Sequence, residues 1–184
     1  MLDKNHVMID LETMGNDNDA VICSIAAVGF GKAKGLVGTA PNMEFYQRVN
    51  WSIPQPGRSF TPSTVHWWLK QDCAAQDEIT EPANALNVVL KDLREFLKGI
   101  PDVRVWGNGA TFDISILTDA FKKEQILIPW EYRNVRDLRT LREVSGVEKY
   151  PPFIGSAHNA LDDARFQIAC VEMYMEALRA VPNG

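Results

Sequence analysis

Apolar residues fill two early runs of the chain, after which their rhythm changes. Val7 to Glu12, VMIDLE, is apolar until it turns acidic, the pattern of a buried strand whose carboxyl end carries charge. Val21 to Phe30 and Glu44 to Val49 predict further strands, and Gly31, Gly35, Gly38 and Pro41 concentrate turn chemistry over Gly31 to Asn42. Beyond this meander the period lengthens. Thr61 and Pro62 form a helix-start pair, an N-cap hydroxyl followed by proline at the first helical position, and Thr80-Glu81-Pro82 marks a second start. Ala85, Leu86, Val89, Leu90, Leu93, Phe96 and Leu97 then recur at helical spacing until Gly99 and Pro101 end the run. Val103 to Trp106 predicts a short strand, followed by a Gly107-Asn108-Gly109 turn and an apolar helix from about Phe112 to Lys123. Asn134 to Leu138 predicts one more strand before Asp137 to Glu143 turns helical. A long alanine-rich helix, about Ala160 to Ala180, puts Leu161, Ala164, Ile168, Val171 and Met175 on its inner side. Strands first, then helices interleaved with strands, predict an α/β domain with a mixed β-sheet flanked by α-helices.

Composition narrows the class. With 184 residues and 46% apolar positions, the chain is expected to form a single domain over residues 1–184. No apolar run approaches a membrane span, and MLDKNHVMID lacks a signal-peptide layout, so a soluble, cytoplasmic protein is expected. Cys23, Cys73 and Cys170 are odd in number, widely separated and outside any CxxC pattern, and read as buried or inert thiols. A net charge of −5 argues against a protein that coats nucleic acid by bulk electrostatics. It leaves room for an enzyme that grips one strand end, because carboxylates that hold divalent cations become locally electropositive.

The candidate chemistry lies in five residues. Asp10 and Glu12 are two apart in a predicted strand, so both project from one face, roughly 7 Å apart along it. Such a pair holds a cation or is a solvated strand end. Asp113 follows the glycine turn near a helix start, on the strand edge where open α/β sheets place ligands, or else serves the helix dipole. His158 precedes the last helix and Asp163 lies in its first turn. The adjacent Asp162 points about 100° away, so one of the two acidic residues can face a site. Together, four carboxylates and an imidazole suit phosphodiester hydrolysis with two divalent cations, the imidazole taking a proton from the attacking water. Trp67 and Trp68 are adjacent on one predicted helix, which favours one in the core and one partly exposed. Arg133, Arg136, Arg139 and Arg142 would form one basic stripe, a phosphate track or a solvated face, if their region were helical throughout.

Three segments, IDLETMG (Ile9 to Gly15), GNGATFDISIL (Gly107 to Leu117) and HNALDDAR (His158 to Arg165), resemble the motifs of the DEDDh, or DnaQ-like, 3′→5′ exonucleases. TPSTVHWWLKQ, Thr61 to Gln71, resembles more narrowly the phage DexA and exonuclease VIII nuclease branch. The resemblance implies an RNase H-like fold and two divalent cations, Mg²⁺ or Mn²⁺. It implies that Asp10 bridges both cations, that Glu12 and Asp163 complete one site, that Asp113 serves the other, and that His158 is the general base. The four residues between His158 and the motif aspartate select Asp163 over Asp162. Thr13, Met14, Phe112, Asn108 and Trp67 are the candidates for substrate binding, the first two through backbone and apolar contact with a terminal nucleotide, Phe112 and Trp67 through base stacking. The implied partner is nucleic acid with a 3′ end, DNA favoured over RNA; a monomer and a homodimer stay open. An exoribonuclease resembling RNase T, a small-nucleotide phosphohydrolase and an inactive nucleic-acid-binding module are the alternatives.

Overall fold

The computed structural model describes residues 5–31, 43–80 and 83–180. The turn segment expected over Gly31 to Asn42 lies, after Gly31, outside the described residues, as do Glu81 and Pro82 of the expected second helix start. Five strands form one sheet in the order β3-β2-β1-β4-β5. These are β1 (His6–Thr13), β2 (Ile22–Phe30), β3 (Glu44–Arg48), β4 (Arg104–Gly107) and β5 (Val135–Asp137). The first three pair antiparallel, whereas β4 joins β1 and β5 joins β4 in parallel, which makes the sheet mixed as predicted.

Alternation along the strands assigns each face its partner. Val7, Ile9 and Leu11 of β1, with Ile25 and Ala27 of β2 and Val105 of β4, pack against α3 (Leu86–Lys98) and α4 (Asp113–Lys123). Met8, with Ala26, Val28, Phe30 and Trp106, packs on the other face against α6 (Ala160–Ala180). All eight residues of β1 are buried, so the central strand has no solvated side. Full burial of each large aliphatic side chain contributes about 1.5–3 kcal/mol relative to exposure, and the residues of α3 that meet this face are those its periodicity singled out. The inner side of α6 includes Ala164, Ile168 and Val171 as expected, while Tyr174 is fully buried and Met175 only half-buried.

Several local expectations change. Thr61 precedes α1 (Pro62–Trp68), but its hydroxyl caps nothing; its N–H donates to the Met14 carbonyl, and a Cβ at Gly15 would stand 2.8 Å from its Oγ1. Thr80 ends α2 (Cys73–Thr80), a helix without strong periodicity, and α3 starts after Ala85 instead. Cys73 is exposed on α2, while Cys23 and Cys170 are buried, and all three are free. The arginine stripe does not form. Arg133 lies in a 3-10 turn (Tyr132–Asn134), Arg136 in β5, and only Arg139 and Arg142 share a helix, α5 (Leu138–Ser145).

Among the described residues no helix is long and apolar enough to cross a membrane.

Candidate active site

The alternation that sends Ile9 and Leu11 to α3 and α4 sends Asp10 and Glu12 to α6. Each of the two carboxylate residues is only 9% exposed. α6 runs back along β1, so Asp163 in its first turn meets Glu12, and one turn later Gln167 Nε2 donates to Asp10 Oδ1 at 2.6 Å. Ligand atoms of Glu12, His158 and Asp163 lie within 4.8 Å of one another. Asp113 approaches from the start of α4, next to the end of β4. It packs so closely on Gly107 that a Cβ there would stand 3.0 Å from Asp113 Oδ2, which explains the glycine at the strand end. Asp137, the N-cap of α5, holds the intervening turn by accepting from Ala110 N at 2.7 Å.

His158 has φ 63, a left-handed conformation uncommon for a residue with a Cβ. Its N–H donates to Asp163 Oδ2 at 3.0 Å, and its ring stands edge-on to Trp67 with centroids 4.7 Å apart. Asp162 turns elsewhere, accepting from Ser156 N and pairing with Arg165. The helical geometry thus separates the two neighbours as expected.

These side chains open on one cleft of about 900 Å³. Asp10, Glu12, Asp113, Asp163 and His158 all line it, together with Asn108, Phe112, Arg139 and Arg142. Burial raises the pKa of Asp10 and Glu12 well above the ordinary range, and the neighbouring carboxylates raise them further. Burial likewise pushes Asp113 up to about 7, against the opposing pull of nearby backbone N–H groups. Asp163 is raised chiefly by burial, with the backbone N–H and ring of His158 lowering it. The electrostatics are those of a site short of positive charge.

Not every candidate reaches the cleft. Thr13 and Met14 are buried, and their polar backbone atoms are already engaged: Thr13 O accepts from Trp68 Nε1 at 2.9 Å, Met14 N donates to Val21 O, and Met14 O accepts from Thr61 N. Neither Thr13 nor Met14 is among the residues that line the cleft, and both backbone groups of Met14 already take part in hydrogen bonds within the fold. Trp68 is 2% exposed and Trp67 41%, the split expected for neighbours on one helix. Arg142 lies over the Tyr150 ring, 4.4 Å from its centroid, and its guanidinium donates to the Tyr150 hydroxyl. Sequence reasoning missed Gln167, although its spacing of four from Asp163 puts it on the same helical face. It also passed over Glu78, for which neither periodicity nor motif gave a signal, and Asn159, which lies within the HNALDDAR segment but was not singled out.

With carboxylates from β1, α4 and α6 facing one another across the end of an RNase H-like mixed sheet, and a histidine leading into the last helix, the chain has the architecture of the DEDDh 3′→5′ exonucleases. It belongs to the family of 3′-5′ exoribonuclease Rv2179c-like domains, which it matches over residues 5–175. An exodeoxyribonuclease of Enterobacteria phage T4 is 26% identical over 156 residues, 72% of this chain and 68% of that protein. Among solved structures, the nuclease domain of 3′hExo, a DEDDh family member bound to rAMP, superposes with a TM-score of 0.58 at 16% identity, covering 93% of this chain and 92% of that one. Escherichia coli exonuclease I in complex with a dA16 oligonucleotide gives 0.65 at 16% identity and covers 91% of this chain. The match spans only 40% of exonuclease I. At these identities the two structures establish the shared fold.

Proposed function

We propose that the chain hydrolyses phosphodiester bonds from the 3′ end of DNA and releases nucleoside 5′-monophosphates. The observation that carries this reading is the convergence of Asp10, Glu12, Asp113, Asp163 and His158 on one cleft. Buried carboxylates that raise one another's pKa fit hard divalent cations, Mg²⁺ or Mn²⁺, which prefer oxygen donors and would relieve the repulsion. Asp10, Glu12 and Asp163 would hold one and Asp10 with Asp113 the other. Two such cations supply charge stabilisation to the attacking and leaving oxygens of an in-line displacement.

The remaining work falls to the chain itself. His158 takes a proton from the attacking water as its oxygen bonds to phosphorus. The bond from phosphorus to the 3′ oxygen of the penultimate nucleotide breaks, and that oxygen leaves with a proton as the new 3′ hydroxyl. Gln167 fixes the rotamer of Asp10, and the His158 N–H fixes that of Asp163. In the cleft Phe112 offers a face for a base and Asn108 a polar edge, while Arg139 and Arg142 offer positive charge to the strand's phosphates; the exposed Trp67, beside the His158 ring, offers a second face.

The phage T4 relative supports DNA as the polymer. The family description supports a second reading, an exoribonuclease with the same machinery. A digestion panel separates them. Matched 5′-labelled DNA and RNA strands, each with a free or blocked 3′ end, are incubated with Mn²⁺, and products are resolved as ladders and mononucleotides. Faster release of 5′-mononucleotides from free-ended DNA supports the first reading, and from RNA the second. Hydrolysis of a mononucleotide ester without either strand would leave a small-nucleotide phosphohydrolase and overturn both.

A further inference from the structure

We infer that Glu78 is a positioning residue for this site: acting through Asn159, its carboxylate fixes the backbone that carries His158 and Asp163. The inference rests on the exonuclease reading above. Glu78 lies on α2, is not among the cleft-lining residues, and is 1% exposed. Its Oε2 accepts from the Tyr46 hydroxyl at 2.6 Å, from Asn159 Nδ2 at 2.9 Å and from Arg48 Nη2 at 3.4 Å. Tyr46 and Arg48 belong to β3, so the carboxylate is anchored to the sheet on one side and reaches Asn159 on the other. Its Oε1 is buried and accepts no hydrogen bond from the described residues. A buried carboxylate with one unsatisfied oxygen is costly, and the three donors that meet Oε2 offset that cost.

Asn159 gives the contact its consequence. Its Oδ1 accepts from Asp162 N at 3.2 Å and caps α6, while its backbone carbonyl accepts from Asp163 N at 2.9 Å. With Nδ2 held by Glu78, the amide cannot rotate, so Oδ1 stays on the cap. The preceding residue is His158, with its left-handed backbone and its N–H on Asp163. General base and carboxylate thus share one external anchor. Without Glu78, Asn159 is free to turn and His158 to leave its strained conformation.

The test uses wild type, Glu78→Ala, Glu78→Gln, Asn159→Ala and the double variant Glu78→Ala/Asn159→Ala. Turnover of the preferred 3′-ended strand is measured at saturating Mn²⁺. The His158 ring protons, assigned by their loss in His158→Gln, are followed by NMR, because the adjacent Trp67 ring makes their shifts sensitive to placement. Glu78→Ala and Asn159→Ala should each lower kcat roughly 10- to 10²-fold with KM little changed. The double variant should fall no further, since both residues act on one path. Glu78→Gln should recover most of kcat, because an amide oxygen still accepts from Asn159 and Tyr46. The His158 resonances should move in the alanine variants and return in Glu78→Gln. Wild-type kcat and unmoved His158 resonances in a folded alanine variant, or additive losses in the double variant, would overturn the inference. If Glu78→Ala does not fold, Asn159→Ala carries the same test. If wild type cleaves no strand, the exonuclease reading fails, and the His158 resonances still decide the placement.

Discussion

The two faces of β1 are both buried and chemically opposite. On one, Val7, Ile9 and Leu11 meet α3 and α4 with apolar contacts alone. On the other, Met8 meets α6, and then Asp10 and Glu12 meet Asp163 and Gln167. Strand geometry is the same on both sides, so the difference lies wholly in which residues occupy alternate positions. One strand can therefore hold up the core and carry the site, with burial stabilising the fold on one face and opposing ionisation on the other.

The largest expected effect comes from removing a carboxylate on the charged face. Asp10→Ala should reduce turnover by about 10⁴-fold or more, the loss of over about 5 kcal/mol of transition-state stabilisation, while folding is retained or improved in chelator. An Asp10→Ala protein active in Mn²⁺ would dissolve the contrast between the faces. On the apolar face Ile9→Ala should do the reverse. A cavity there should cost about 2–5 kcal/mol in denaturant unfolding, with the kcat of the folded fraction preserved. His158→Ala should keep strand binding and lose turnover by about 10²–10⁴-fold. Rate against pH for both proteins at saturating Mn²⁺ decides its role: wild-type turnover and an unchanged acidic limb in the variant would make His158 structural.

A smaller effect tests the electrostatics of the charged face. Asp113 is pushed up to about 7 in the folded protein. Below about pH 4 it is protonated in both folded and unfolded chains; as pH rises toward about 7 the unfolded chain ionises it and the folded chain does not, so stability is lost. The loss is on the order of 4 kcal/mol at about 1.4 kcal/mol per pH unit. In chelator, melting temperature should fall between about pH 4 and about pH 7, and Asp113→Asn should flatten that slope and raise the melting temperature at the alkaline end. A wild-type slope in the variant would show that Asp113 is not the group responsible. The smallest expected effect is at Asp162→Asn, whose side chain serves Ser156 and Arg165. Turnover there should change less than about tenfold, whereas Asp163→Asn should lose orders of magnitude. Equal losses at both would mean that the register of α6 toward β1 is misassigned.

How much of this was legible in the sequence depends on whether a feature repeats. β1, α3 and α6 advertise themselves through apolar pattern or helical periodicity, and Asp10 and Glu12 on β1 and Asp163 on α6 fall at spacings that fix their faces. Asp10, Glu12, Asp113, His158 and Asp163 are brought to one cleft from positions as far apart as the two ends of the chain. The features that were missed lack a period. α2 has one side held by Ala75 and Ile79 and otherwise reads as a polar segment, so nothing pointed to Glu78 as buried. The arginine stripe was conditional on one continuous helix, and the strand expected over Asn134 to Leu138 forms instead as β5, where Val135 to Asp137 extends the parallel ladder beside β4. Thr13 and Met14 became candidates through the family resemblance alone, and sequence does not show the backbone hydrogen bonds they make to Val21, Thr61 and Trp68.

The pairing of β1 with β2 has a further consequence, for the folding of the chain. Asp10 stands opposite Ala26 and Glu12 opposite Ser24. A slip of one residue would exchange the faces of the whole strand, carrying both carboxylates in among Leu90, Leu93 and Phe121 and presenting Ile9 and Leu11 to Asp163. Two buried charges without partners would make that misfold far costlier than the native arrangement. The acidic residues that burden the finished structure thus guard it during assembly, ruling out the nearest wrong alignment of its central strand.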